Sequence, residues 1–260
     1  ANSVTVTAAT LGNGTDGLAS NYSLATGDIT SASATITARA LTATAAATKE
    51  YDGNNTASSA LTLANLIDGE ALTTSGVTST FNDQNVAIAN SVTVTAATLG
   101  NGTDGLASNY SLATGDITSA SATITARALT AAADAADKVY DGNTTATSTL
   151  TLSGLIDGET LTTSGVGSTF NDKDVLDANS VTVTAATLGN GTDGLASNYS
   201  LATGDITSAS ATITARALTA TAAATKEYDG NNTASSALTL ANLIDGEALT
   251  TSGVTSTFND

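Results

Sequence analysis

The 260-residue sequence contains no cysteine, proline, histidine, methionine or tryptophan. Without cysteine, no disulfide staples the fold and no redox compartment is indicated. Without histidine and cysteine, imidazole acid–base catalysis, thiolate nucleophiles and zinc ligation by these residues are excluded. Serine is plentiful but has no imidazole to activate it, which leaves only a Ser-Lys arrangement for nucleophilic chemistry. Positive charge is scarce too. Seven Lys+Arg stand against 24 Asp+Glu, a formal net charge of −17. Nucleic acid and anionic membrane surfaces repel such a chain. No stretch approaches the roughly 20 apolar residues of a membrane span, and no secretion signal is visible. Neither nucleic acid binding nor membrane insertion is expected of this segment.

What is present is self-similarity. Residues 1–83 recur unchanged as residues 178–260. The segment ANSVTVTAATLGNGTDGLASNYSLATGDITSASATITARA begins at Ala1, Ala89 and Ala178, and the triplet Tyr-Asp-Gly begins at Tyr51, Tyr140 and Tyr228. The repeat is thus 88 or 89 residues long, in two alternating versions that differ in their first half. Solenoid repeats of about 20–50 residues need neighbours to bury a core, whereas a unit near this length suffices for a small domain. Cutting before each Leu-Thr-Ala gives 1–40 as the C-terminal half of a repeat and 41–128 as a full repeat (version A). It also gives 129–217 as a full repeat (version B) and 218–260 as the N-terminal half of version A. The two halves sum to one repeat lacking only Gln84–Ile88, as expected of a window on a longer array.

The hydrophobic fraction is 41% with only 12% charged residues, which argues against simple disorder. Much of it is alanine, so thin cores are expected. Apolar residues alternate with Thr and Ser in Ser91–Ala96, Ala120–Ala126 and Leu41–Ala45, the period of half-buried strands. Asp52-Gly53, Asp68-Gly69, Ser75-Gly76, Asn101-Gly102 and Asp104-Gly105 read as turns between strands, with Asn101-Gly102 suited to a tight hairpin. The best helix candidate is short, around Leu63–Leu72, and its Asp-Gly weighs against it. Ala45–Ala47 is assigned to strand because its neighbours alternate. Five to seven strands per repeat are expected, in a mostly β chain. The sparse aromatics recur at fixed places and are read as core anchors: Tyr51, Tyr140 and Tyr228; Phe81, Phe170 and Phe258; Tyr22, Tyr110 and Tyr199.

The run from Tyr140 to Thr147 (Tyr-Asp-Gly-Asn-Thr-Thr-Ala-Thr) resembles the signature of the YDG repeats of very large bacterial surface adhesins. So do Gly154–Glu159, Phe170–Val175, Asn198–Leu201 and Ala211–Thr214. Order and spacing agree along the whole chain. The resemblance implies a compact module related to the mostly-β-grasp (MBG-type) repeats found in filamentous-haemagglutinin-like and biofilm-associated adhesins. It also implies a tandem array of small β-grasp-like domains forming an elongated rod, used as a spacer at the cell surface. One departure is Ala126 and Ala215, where the family commonly has proline, so the stiffness a fixed φ lends a linker is missing here.

These readings lead to an expected function. The chain is a non-enzymatic stalk of an extracellular adhesin or surface fibre, projecting an adhesive tip or building extracellular matrix. Its partners are neighbouring repeats of the same chain, like chains in a fibre, and host or matrix glycans bound through another region. Two alternatives stay open: a carbohydrate-binding module using Tyr51 or Tyr110, and a self-assembling filament subunit. Calcium is the one metal weighed, through Asp52, Asp68, Glu70, Asp83, Asp104 and Asp116 in Gly-rich loops. No EF-hand pattern supports it, and Asp also caps turns by itself, so no cofactor is assigned. Asp68/Glu70 superficially mimic a glycosidase pair, but lie on a turn that every repeat copies. Asn-x-Ser/Thr sequons fall at Asn54, Asn101, Asn109 and Asn143. A Lys–Asn isopeptide could use Lys49 or Lys138, with no partner located by sequence. The Thr-x-Thr alternation also fits an ice-binding face, though it is ordinary for an exposed strand.

Overall fold

The computed structural model describes residues 2–259. Among them the chain is mostly β, and the only helices are 3₁₀ turns of three residues. It divides into two compact units. The first holds residues up to Lys49, then Asn54–Gln84 and Ile88–Ile124; the second holds Glu50–Gly53, Asn85–Ala87 and everything from Thr125 onward.

In the first unit, strand Thr42–Glu50 lies between strands Ala60–Ala64 and Ile117–Thr125. Its alternation explains its place: Ala43, Ala45 and Ala47 turn inward and are buried, while Thr42 and Thr44 face water. A second sheet runs Thr56–Ala57, Leu72–Phe81, Val92–Asn101, with antiparallel pairing throughout. Ala57, Ser79, Phe81, Val92 and Val94 are its buried residues.

The second unit repeats this plan. Strand Thr130–Ala135 pairs antiparallel with Ser148–Ser153 and parallel with Ile206–Thr207. Thr145–Ala146, Leu161–Phe170 and Val181–Asn190 form the other sheet. Two short parallel pairs join distant stretches of the unit: Arg127–Ala128 with Tyr199–Ser200, and Lys138–Val139 with Ile213–Thr214. Phe170, Ala178, Val181, Ala211 and Ile213 make the buried cluster, with Tyr140 packed against it.

Three expectations need correction. Leu63–Leu72 is no helix: it is the end of strand Ala60–Ala64, a turn at Asp68-Gly69, and the start of the next strand. Gly69 takes φ +87° there, a conformation that breaks a helix and suits glycine. Ser75-Gly76 does not separate strands. It sits inside Leu72–Phe81 as a bulge where the register shifts between Ser75 and Thr78, with Gly76 at φ +60°. The strand count exceeds seven, because strands predicted as continuous are cut into pieces. Thr42–Glu50 corresponds in version B to Thr130–Ala135 plus Lys138–Val139, interrupted at Ala136 and Asp137.

In the full repeats Tyr51, Tyr110 and Tyr199 are buried and Tyr140 is half-buried. Phe81 and Phe170 are buried; Phe258 and Tyr22 are exposed. The residues that bury Phe170 come from the second half of its repeat (Ala178, Val181, Ala211, Ile213). Phe170→Ala is therefore expected to destabilise the second unit by about 3–5 kcal/mol. Phe258→Ala should cost less than about 1 kcal/mol. Urea unfolding of the two variants checks the contrast.

Candidate functional site: a tyrosine–glutamate joint

The residues that come together most specifically are those of the Tyr-Asp-Gly and Ile-Asp-Gly-Glu turns. Within the second unit, Tyr51 is buried and its hydroxyl donates to Glu159 Oε1 at 2.5 Å. Tyr199 donates to Glu159 Oε2 at 2.8 Å. One half-buried carboxylate thus accepts from two phenols, one at each oxygen, as its acceptor-only chemistry allows. The two rings meet edge to face, 5.4 Å between centroids and 77° between planes, the favoured aromatic geometry. The Ile156 amide donates to Tyr199 Oη at 3.1 Å, so this phenol both accepts and donates.

The chain fold delivers each of these groups. Glu50–Gly53 leaves strand Thr42–Glu50 with its Tyr51 amide bonded to Thr125 O at 2.9 Å. Gly53 then turns at φ +79°, and a Cβ built there would lie 3.1 Å from Ile156 Cγ2. A side chain at that position meets both a left-handed backbone and the isoleucine, so glycine is required twice over. Asn198 closes the far side. It is buried, accepts from the Val86 amide at 2.9 Å and donates to Asn85 Oδ1 at 2.8 Å. Arg127 and Glu50 add an ion pair at 3.6 Å whose partners are partly exposed, of small energetic weight.

The arrangement recurs one repeat further on. Tyr140 donates to Glu247, and a Cβ on Gly142 (φ +81°) would lie 3.2 Å from Ile244 Cγ2. In the first unit the within-repeat part also recurs: Tyr110 donates to Glu70 and accepts from the Ile67 amide at 3.2 Å. All four phenols resist ionisation. Burial leads the upward shift for Tyr51, followed by the bond to Glu159. Burial also leads for Tyr199, whereas the bond to the glutamate leads for Tyr110 and Tyr140.

A second recurring cluster braces the same turn. Lys138 Nζ donates to Asp141 Oδ1 at 2.7 Å, Asn143 O at 2.8 Å, Asn143 Oδ1 at 3.0 Å and Thr145 O at 2.9 Å. It stands 5.7 Å from the Phe170 ring centroid, a cation–π distance. Lys49 repeats the contacts to Asn54 and the placement over Phe81; Lys226 repeats them with Asp229, Asn231 and Phe258. The bond from Lys138 holds the Asp141 carboxyl below its usual range. These lysines do find asparagine neighbours, but an ammonium paired to a carboxylate and carbonyls has no free electron pair to attack an amide. The intact mass should therefore show no loss of ammonia, and a deficit of one ammonia per repeat would establish isopeptide bonds instead.

The calcium candidates are scattered. Asp52, Asp68, Asp104 and Asp116 are exposed and in separate turns, Asp83 is half-buried, and Glu70 is taken by Tyr110. Among the described residues no three carboxylates gather as a metal-holding group. Asp104 instead adopts φ +54° in its turn, a conformation aspartate tolerates. Three sequon asparagines cap turns: Asn54 Oδ1 accepts from Thr56 N, Asn101 Oδ1 from Ala107 N and Asn143 Oδ1 from Thr145 N. With Tyr51 and Tyr110 buried, neither ring presents a face on which a sugar could stack. Sequence reading missed Glu159, Glu247, Ile156, Ile244 and Asn198 as partners. The available signal was the equal recurrence of Tyr-Asp-Gly and Ile-Asp-Gly-Glu in each copy.

A phenol pKa raised in the fold means stability that is fully present below the ordinary phenol value of about 10. That stability is lost as pH rises through the higher folded value. Urea midpoints should hold up to about pH 10 and fall above it. Tyr51→Phe should shrink that fall without abolishing it, since Tyr110, Tyr140 and Tyr199 shift the same way. An unchanged pH slope in Tyr51→Phe would contradict the assignment.

A family model described as YDG domain matches the chain twice, over residues 35–119 and 125–208. No curated protein and no solved structure matches it.

Proposed function

The chain belongs to the YDG domain family, and from that premise we propose that it serves as the stalk of an extracellular bacterial adhesin or surface fibre, holding an adhesive tip away from the cell. The observation that carries this reading is the recurrence of one joint, Tyr51 with Glu159 and Tyr140 with Glu247. A spacer needs the same connection at every step, and a binding or catalytic protein does not. In this reading the repeats catalyse nothing. The carboxylates of the turns cap backbone, and the acidic, hydroxyl-rich surface keeps near-identical neighbours from pairing edge to edge.

Reach should then grow with copy number. A strand of about ten residues spans about 33 Å, so each repeat should add roughly 35–45 Å. X-ray scattering from chains with two, four and six repeats tests this. A maximum dimension that rises by a constant step, with or without a calcium chelator, supports a metal-free stalk. A dimension that grows only as a compact globule's does would overturn it, and shortening or softening under chelator would make the turn carboxylates ligands.

A further inference from the structure

The first and last strands of a full repeat lie side by side and run the same way. In version B the chain from Arg127 to Tyr140 follows the chain from Tyr199 to Thr214 through three parallel pairings: Arg127 with Tyr199, Ala131 with Ile206 and Lys138 with Ile213. The Leu129 amide donates to Ser200 O at 2.8 Å, the Lys138 amide to Thr212 O at 3.1 Å and the Tyr140 amide to Thr214 O at 2.9 Å. Two side chains add to this seam. The Thr212 amide donates to Asp137 Oδ1 at 2.6 Å, and Thr214 Oγ1 donates to Lys138 O at 3.3 Å. The sequence has no proline, so no amide donor is missing from either strand. Leu129, Ala131, Ala211 and Ile213 are buried and shield one face of the seam from water. Version A repeats the arrangement. Strand Thr42–Glu50 adjoins strand Ile117–Thr125, and the Leu41 amide donates to Ser111 O at 2.8 Å.

Direction decides how such a seam meets tension. Pulling on both ends of the repeat draws residues 129–140 one way along the seam and residues 206–214 the other. The two strands are parallel, so they would have to slide past each other along their common axis. The bonds between them run across that axis, so they take the load together and must break together. The antiparallel edge of the same sheet behaves differently. Thr130 and Ser153 are partners at one end of strands Thr130–Ala135 and Ser148–Ser153. Pulled apart there, the bonds open one at a time.

We propose that the seam is a tension-bearing clamp: the parallel pairing of first and last strands, with Asp137 as a side-chain clasp, makes a full repeat resist pulling along the chain more than pulling across its antiparallel edge. The resistance is kinetic. It sets how slowly a loaded repeat opens, not how stable the repeat is at rest. The residue before the turn lysine is Asp137 in version B and Thr48 in version A, so the two versions differ at the clasp. The clamp belongs to a single repeat and stands whether or not the array serves as a stalk.

Single-molecule pulling on the whole chain tests it, with thiol handles that a cysteine-free sequence makes unique. Thr130→Cys with Ala215→Cys loads the seam along its length, and Thr130→Cys with Ser153→Cys loads the antiparallel edge. All three positions are exposed. The length released, about 3.6 Å per residue between the handles, identifies each event. At one loading rate the first pair should open at about twice the force of the second or more, because its bonds share the load. Adding Asp137→Ala should lower the force for the first pair and leave that for the second unchanged, whereas a general weakening of the fold would lower both. Equal forces in the two directions would overturn the proposal, as would an Asp137→Ala variant that loses both forces alike or neither.

Discussion

A carboxylate with two oxygens and two phenols to fill them sets the plan of this protein. Glu159 takes Tyr199 from its own repeat and Tyr51 from the preceding one. The core around it is thin, built largely from alanine, valine and a single phenylalanine per repeat. A buried aromatic adds more area than several alanines, so placing two tyrosines in contact concentrates much of the available packing in one place. Their hydroxyls must find acceptors once buried, and the glutamate supplies them. The need for glycine in the Tyr-Asp-Gly turn follows from the same contact, because Gly53 must pass close to Ile156.

The lysine cluster shows how the turn is held ready. Lys138, just before the turn, binds the carbonyls of Asn143 and Thr145 just after it while lying over Phe170. It therefore connects the core of a repeat to the loop that presents the tyrosine. Lys226 keeps its bonds to Asp229 and Asn231 even where Tyr228 is exposed. The turn is thus formed by local interactions before any partner is engaged, which lowers the ordering cost of docking.

Local features were legible in the sequence. Alternation placed Ala43, Ala45, Val92 and Val94 inward, and the recurrence of Phe81 and Phe170 marked them as anchors. The breaks at Ala136-Asp137 and the bulge at Gly76 were not, because a strand's interruptions depend on the partner that pairs with it. The joint was least legible of all. Tyr51 and Glu159 are 108 positions apart, and no local pattern encodes a partner at that distance. Glu70 was weighed only as a weak oxygen ligand for a cation, and the sequence held no sign that its Oε2 accepts from the Tyr110 phenol. Tyr22 and Tyr228 were read as anchors by analogy with their copies, although burial depends on halves of the repeat that lie elsewhere in sequence.

The most direct measurement is a double-mutant cycle between Tyr51→Phe and Glu159→Gln, read as unfolding free energies of the second unit. Tyr199 stays in place in all four proteins, so its own bond to the glutamate largely cancels from the comparison. The account predicts a coupling of about 1 kcal/mol or more between the two positions. Additive effects would contradict it, and would mean that the phenol and the carboxylate are neighbours that do not hold each other.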